Sequence, residues 1–488
     1  MCASGTCVEV CPSSLAQCAD GCHDLQGDWS NCGACGHACN TGEVCANGAC
    51  EFNCGSGWSN CAGHCTDLQV DAMNCGACGA VCGGKCVVGT CQPDIVVNIT
   101  KGANKPSSLP SVSSDGTFVG FASEATNLTP EKLAGGFLYD HAAAGIGLLS
   151  PSPYIGWSAP PAVISGNGKF AFFRTFKPLT AGDTNGVADI YRLDLITSEL
   201  MRVTVLPGPV QQVYGCSYFS ASADGRFVVF QSSDTYQLYV YDANSGTSRM
   251  VAADPNGTLP DGEVWDPGVS EDGNFISFRS RARNFAGLTG DQLHIYVQDR
   301  EKRTTQLASQ STAGALGNNQ SLSSSLSGDG RLIAFGSAAT NLVPGDTNGS
   351  YDVFVRDLGA GTITRVSLAS DGTEANGHSL NPGFSSDGRY VAFLSYANNL
   401  TAGDTNDRVD VYVHDLVTHH TKRASVDATG TYGSGTSCRP EFLECSSPML
   451  SANGDVLVFD STASDLVPGS AWGRSDVYWV AWKKLPEQ

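Results

Sequence analysis

Ser385-Ser386-Asp387-Gly388-Arg389-Tyr390-Val391-Ala392-Phe393 opens a unit that continues, after a polar loop, into Asp410-Val411-Tyr412-Val413-His414-Asp415 and then Lys422-Arg423-Ala424-Ser425-Val426. Short β-rich runs separated by Gly, Asp and Asn turns predict antiparallel strands in hairpin succession. The fourth residue of the apolar run is Phe in each of seven copies: Phe121, Phe173, Phe230, Phe278, Phe335, Phe393 and Phe459. Phe137, Tyr191, Tyr239, Tyr296, Phe354 and Tyr412 each stand three positions before a strand-ending Asp; in the last copy Tyr478 keeps its place and Ala481 replaces the Asp. Repeats of this length with about four strands each predict an all-β fold, a seven-bladed β-propeller, whose blades bury both faces against their neighbours. Two-sided burial explains runs such as Phe227-Val228-Val229-Phe230, apolar throughout instead of alternating.

The last copy ends at Gln488 before the place where earlier copies start a fourth strand, such as Thr364-Arg365-Val366-Ser367-Leu368. Asp94-Ile95-Val96-Val97-Asn98-Ile99-Thr100 precedes the first copy, has β-branched character and has no other partner in the pattern. It is expected to complete the last blade and remove a free sheet edge.

The Ser-Asp-Gly-Arg-aromatic-Val-Ala-Phe strand followed by Asp-Val-Tyr-Val-x-Asp resembles the TolB-type propeller repeat over residues 94 to 488. The resemblance implies a binding platform in the periplasm or outside the cell, or a non-catalytic domain beside a hydrolase, and fold alone does not choose between them.

Eighteen of the 21 cysteines lie before Gln92, which marks a small, loop-rich domain stapled by disulfides. Cys11, Cys18, Cys22, Cys32, Cys35, Cys39, Cys45 and Cys50 are matched by Cys54, Cys61, Cys65, Cys75, Cys78, Cys82, Cys86 and Cys91. Cys2 and Cys7 match the last pair of a unit, so the chain is expected to begin inside a preceding repeat, with further repeats and an export signal upstream. The expected organisation is a repeat tail at 1–10, cysteine-rich repeats at 11–53 and 54–92, and the propeller at 93–488. Cys32-Gly33-Ala34-Cys35 and Cys75-Gly76-Ala77-Cys78 also have zinc-ribbon or thioredoxin-like spacing, with His23, His37 and His64 nearby. A redox pair needs a strand–helix context that is absent, and zinc would leave many cysteines unused, so disulfides are the expectation; spacing leaves their connectivity open. The unit Cys-x-x-x-Cys-x-Asp-Leu-Gln, Asn-Cys-Gly-Ala-Cys-Gly, Cys-x-x-Gly-x-Cys resembles the stigma-specific cysteine-rich family of secreted plant proteins over residues 11 to 91. In the ring, Cys438 and Cys445 are close enough in sequence to pair, leaving Cys216 as a buried thiol.

A net charge of −20 argues against nucleic acid and anionic lipid and favours cation binding or plain solubility. No apolar run is long enough to span a bilayer, and no signal peptide follows Met1.

Blades 2, 5 and 6 share a longer middle loop reading Gly-Asp-Thr-Asn, followed by an Asp that opens the next strand. The oxygen-bearing side chains are Asp183, Asn185 and Asp189; Asp346, Asn348 and Asp352; and Asp404, Asn406 and Asp410. Hard oxygen ligands on a sharply turning backbone suit calcium, whereas side-chain turns alone would explain the Asp-Thr-Asn part. Blades 1, 4 and 7 are expected to lack the pattern.

No nucleophile elbow, helical histidine pair or phosphate loop is present, so no catalytic residue is assigned. His419 and His420 are expected in a solvated turn, and His378 near the central channel. The expected function is an exported, non-enzymatic binding or adhesion protein at the bacterial cell surface, taking a protein or glycan ligand and stabilised by Ca2+. The alternative is an extracellular polymer-degrading hydrolase or lyase with carboxylates at one mouth of the ring. A convergent carboxylate pair in the channel would favour the enzyme, and an aromatic or uncharged face would favour binding.

Overall fold

The computed structural model describes all residues except 1, 4–5, 8–10, 20, 41–42, 53–58, 62–63, 70–73, 75, 80–83, 88–89, 94, 152–161, 207–214, 252–257, 286–291, 432, 438–445, 472 and 487–488. Two compact units result, Met1–Asp94 and Ile95–Gln488. The expected pair of Cys438 and Cys445 lies outside the described residues.

In the first unit short hairpins such as Ala16–Cys18 with Gly21–His23 and Glu43–Ala46 with Ala49–Phe52 are held by cysteine pairs. Cys11 bonds Cys22, Cys18 bonds Cys35, Cys32 bonds Cys45 and Cys39 bonds Cys50, so the eight cysteines of the first repeat are satisfied internally. Cys61 bonds Cys78, the counterpart of the Cys18 to Cys35 bond. Cys32 and Cys35 are therefore bonded to other partners and form no redox couple with each other.

The second unit is a seven-bladed propeller of four-stranded antiparallel sheets. Blade 6 comprises Ser379–Phe384, Tyr390–Ser395, Asp410–Asp415 and Thr421–Arg423. Its first strand precedes the Ser-Ser-Asp-Gly turn, so the unit begins before Phe384, where the sequence pattern had opened it. The reason is that the first strand, Ser-Leu-Asn-Pro-Gly-Phe, has little β-branched character of its own. First strands of neighbouring blades contact one another all the way round, so they line the axis. Six buried apolar clusters each bridge two adjacent blades, as where Val96, Tyr390, Val411 and Tyr478 meet between blades 6 and 7.

The two recurring aromatics face each other across the second and third strands in every blade, for example Phe121 with Phe137 and Phe459 with Tyr478. All seven pairs stack, with ring centroids 5.5 Å apart in blade 1 and 6.1 Å in blade 2 at the extremes. Such pairs contribute about 0.5–1.5 kcal/mol each beyond their buried area. The Arg of the turn closes on the Asp that ends the third strand: Arg389 Nε and Nη2 donate to Asp415 at 3.1 and 2.8 Å.

The turns between first and second strands form a closed circle of main-chain hydrogen bonds. Ser114 N donates to Gly166 O (2.7 Å), Asn167 N to Ala223 O (2.9 Å), Ala223 N to Glu271 O (3.1 Å) and Glu271 N to Gly328 O (2.9 Å). Gly328 N then donates to Ser386 O, Asp387 N to Ala452 O and Ala452 N back to Ser114 O, each at 2.9 Å. The turns approach so closely that a Cβ on Gly166 would lie 2.6 Å from Ser114 Oγ. This end of the ring is drawn tight.

Closure follows the expected route: Val96–Asn98 pairs with Asp476–Val480 as the fourth strand of blade 7, Val96 opposite Val480 and Asn98 opposite Tyr478. Val96 and Ile99 are buried, and Asn98 and Thr100 bond the buried Asp476 at 3.0 and 3.2 Å. Burial of two aliphatic side chains stabilises by about 3–6 kcal/mol before any hydrogen bonding. Deleting residues 94–100 is expected to lower the melting temperature by roughly 5–10 °C or more; calorimetry showing an unchanged melt would mean that the ring does not depend on this strand.

Candidate functional site

The expected cation-binding residues converge in pairs, each around an arginine from the fourth strand. In blade 6, Arg423 Nη1 lies 3.1 Å from Asp404 Oδ1 and its Nη2 2.9 Å from Asp410 Oδ2, with the guanidinium fully buried. Tyr412 donates to Asp404 (2.7 Å) and Ser425 to Asp410 (2.6 Å), while Asn406 Nδ2 donates to Gly433 O (3.0 Å). Blade 2 repeats the arrangement more loosely, with Arg202 Nη1 3.9 Å from Asp183 and 4.0 Å from Asp189. There Tyr191 donates to Asp183, Thr204 to Asp189, and Asn185 accepts Val187 N at 3.1 Å.

Blade 5 adds a third acid. Arg365 Nη1 lies 3.6 Å from Asp346 and 3.4 Å from Asp352 and donates to Glu374. Carboxylate oxygens of Asp346, Asp352 and Glu374 all fall within 4.8 Å of one another. Asn348 Nδ2 donates to Asp352 (3.0 Å), Ser367 donates to Asp352 (2.5 Å), and Glu374 accepts Thr347 N (2.9 Å) and Thr347 Oγ1 (2.7 Å). Burial pushes Asp346 up to about 6 and Asp410 up to about 7, opposed in each case by the adjacent guanidinium, and raises Asp189 and Asp352 as well.

The repeats act as internal controls for these arginines. Arg202, Arg365 and Arg423 each face the aromatic of the third strand, and the same position is Leu148 in blade 1 and Leu307 in blade 4. Those two blades open their third strand with Gly135 and His294 instead of Asp. Acid and arginine are therefore present together or absent together, as expected for a buried carboxylate and its counter-charge. Blade 7 lacks the Gly-Asp-Thr-Asn loop and still carries the acid. Asp476 opens its third strand, Asn98 and Thr100 of the closing strand take the places of the arginine and hydroxyl, and Arg474 supplies the charge at 2.9 Å. In blades 2, 5 and 6 the sequence signal is the spacing Arg202-x-Thr204, Arg365-x-Ser367 and Arg423-x-Ser425 at the fourth strands.

The other end of the ring has a different character. Phe176, Tyr218, Tyr236 and Tyr396 are 41%, 46%, 46% and 43% exposed. They are the exposed aromatics among the described propeller residues, and all sit where second strands end, third strands begin or first strands start. His378 lies here too: Tyr351 N donates to its Nδ1 (3.0 Å), which leaves the ring proton on Nε2, and it packs edge-on to Tyr351 and Tyr396 at 5.7 and 6.5 Å. His419 and His420 occupy the turn before Thr421–Arg423 at the opposite end. Cys216 is a buried thiol pushed up to about 12 by desolvation, unsuited to reaction.

Five first strands are bulged at the same level, their pairing shifting between Ser108 and Ser111, Cys216 and Phe219, Trp265 and Gly268, Leu322 and Ser324, and Leu380 and Gly383. In four of them the bulge holds a non-glycine residue in the left-handed region: Leu109 (φ 55°), Asp266 (51°), Ser323 (31°) and Asn381 (53°). Each such residue costs about 1–3 kcal/mol, and strain of this kind gathers at ligand clamps. Bulges re-aim side chains next to functional sites.

Two outcomes test the buried clusters. Arg423→Met leaves two carboxylates in the core and is expected to cost about 3–5 kcal/mol, or roughly 5 °C in melting temperature for a ring of this size. Adding Asp404→Asn and Asp410→Asn is expected to recover most of that loss; no recovery would assign it to packing. Asp410 and Asp346 hold a proton more tightly folded than unfolded, so their contribution is greatest below about pH 4 and is lost as pH rises toward 6–7. Asp415, held down to about 2 by Arg389 and turn N–H groups, loses its contribution only below pH 4. Between pH 5 and 7.5 the melting temperature of Asp410→Asn is therefore expected to vary less than that of the parent.

Residues 1–53 match the Stigma-specific STIG1-like protein family. No curated protein matches the chain. Among solved structures it is similar to a protein assigned as TolB from Agrobacterium tumefaciens, at 18% identity and a TM-score of 0.34, over 54% of this chain and 78% of that one. TolB from Acinetobacter baumannii is 15% identical with a TM-score of 0.37, over 74% of this chain and 76% of that one. Hydrazine synthase from Kuenenia stuttgartiensis is 13% identical with a TM-score of 0.42, over 77% of this chain and 96% of that one. The architecture rests on the chain's own seven four-stranded blades and disulfide-rich leading unit.

Proposed function

We propose that this chain is an exported binding protein whose propeller presents its aromatic mouth to a protein or glycan outside the cytoplasm. The observation that carries this reading is the asymmetry of the ring: one end is cinched by the circle of turn hydrogen bonds, and the other bears the exposed aromatics Phe176, Tyr218, Tyr236 and Tyr396. Exposed aromatic rings are common anchors of a binding site. The disulfide-rich unit supports an oxidising, extracytoplasmic compartment. No helix among the described residues is long and apolar enough to cross a membrane.

The enzymatic alternative draws on the raised carboxyls Asp346 and Asp352. Their side chains are 2% and 0% exposed and face Arg365, so a polymer reaching the mouth would not touch them. Binding is the reading favoured by what is presented to solvent.

Calcium belongs to this proposal at blade 5. In blades 2 and 6 one guanidinium stands between two acids, supplying the positive charge that an ion would bring. Blade 5 sets three acids against Arg365, leaving an excess of negative charge at oxygen ligands suited to a hard cation.

Two measurements check the proposal. The labelled full chain is expected to bind an immobilised panel of cell-wall polysaccharides or cell-surface proteins, with at least tenfold weaker binding by the triple variant Phe176→Ala, Tyr236→Ala, Tyr396→Ala. Ile196→Ala with Val417→Ala, exposed at the opposite end, is expected to bind normally; the reverse pattern would put the ligand on the wrong face. Millimolar calcium against EDTA is expected to raise the melting temperature of the parent and not of Glu374→Gln. No shift in the parent would reduce all three loops to arginine-held turns.

A further inference from the structure

We infer that the bulged ring on the innermost strands is a subsite for a neutral sugar residue, formed by Tyr218, Asp266, Ser323 and Asn381 with Arg279 and Leu109 beside them; this rests on the mouth being the binding face. The four strained positions lie on strands of blades 1, 4, 5 and 6 that surround the axis, and the bulge in blade 3 brings in Tyr218 at the same level. Leu109, Asp266 and Asn381 each precede a proline, whereas Ser323 precedes Ser324, so the same left-handed geometry recurs at this level on two different local patterns.

The chemistry presented is that of carbohydrate recognition. A sugar ring offers an apolar C–H face and flat pairs of hydroxyls, which an exposed aromatic and planar polar groups can meet together. Asp266 is oriented by Arg279, whose Nε lies 2.7 Å from its Oδ2, and Arg279 in turn stands 5.9 Å over the Trp265 ring. Asn381 accepts Ser323 Oγ at 3.1 Å, which fixes the carboxamide between blades 5 and 6. Both planar groups are thus held in place before any ligand arrives, which lowers the cost of binding.

Other ligand classes fit less well. An acidic polymer would meet a chain of net charge −20 with Arg279 already paired to Asp266. An extended peptide pairing along the innermost strands would need an unbroken edge, and five of the seven edges are interrupted by bulges at one level. A neutral glycan needs neither a basic surface nor a continuous edge.

Glycine at the strained positions separates ligand recognition from folding, because it keeps the left-handed backbone and removes only the side chain. Titration calorimetry on the full chain with cellohexaose, xylohexaose, mannohexaose and chitohexaose is expected to detect binding of at least one. Asp266→Gly and Asn381→Gly are each expected to weaken it tenfold or more, with melting temperatures equal to or above the parent's. Parental affinity in both glycine variants, alongside loss in the Phe176, Tyr236 and Tyr396 triple variant, would overturn the subsite while keeping the mouth as the binding face. Absence of binding to all four hexaoses, with a protein ligand still lost in the triple variant, would overturn the sugar assignment and leave the mouth reading intact.

Discussion

The pairing of Val96–Asn98 with Asp476–Val480 is the constraint on which the rest of the ring depends. Each blade buries its faces only against its neighbours, so an open ring would expose the facing surfaces of blades 1 and 7 and break the circle of turn hydrogen bonds at Ala452 and Ser114. Residues nearly four hundred positions apart thereby hold the first strands around a common axis. Left-handed backbone positions on those strands persist only because the surrounding structure is over-determined in this way.

Charge is handled by the same repetition. Where a third strand opens with a buried Asp, a guanidinium, from the fourth strand in blades 2, 5 and 6 or from Arg474 in blade 7, stands beside it; where the Asp is replaced by Gly135 or His294, leucine takes the fourth-strand position. A lone buried carboxylate would be costly, and pairing it also fixes where the loop must turn. The clusters are thus part of what holds the long loops of blades 2, 5 and 6 in place beneath the mouth, and blade 5 alone among them carries a surplus acid, Glu374.

Much of the architecture was legible in the sequence because its signals are local and repeated. The Phe and third-strand aromatic of each copy proved to be direct cross-strand partners, and the β-branched run before the first copy proved to be the closing strand. The candidate site was less legible. The acids of the Asp-Thr-Asn loops were visible, but their arginines lie 13 residues or more further on and acquire meaning only through strand register. In blade 7 the matching residues, Asn98 and Thr100, come from the far end of the chain. The bulges had a local signal that went unread: Pro110, Pro267 and Pro382 follow the left-handed Leu109, Asp266 and Asn381, and a proline inside a strand marks an edge or a bulge, although it does not give the sign of φ at the residue before it.

The most direct measurement is a crystal structure of the full chain grown with a mixture of neutral oligosaccharides. The account predicts a sugar ring against Tyr218 within hydrogen-bonding distance of Asp266 or Asn381, at the end of the axis opposite the cinched turns. A sugar seated only on an outer blade edge or among the turns at the other end would contradict it.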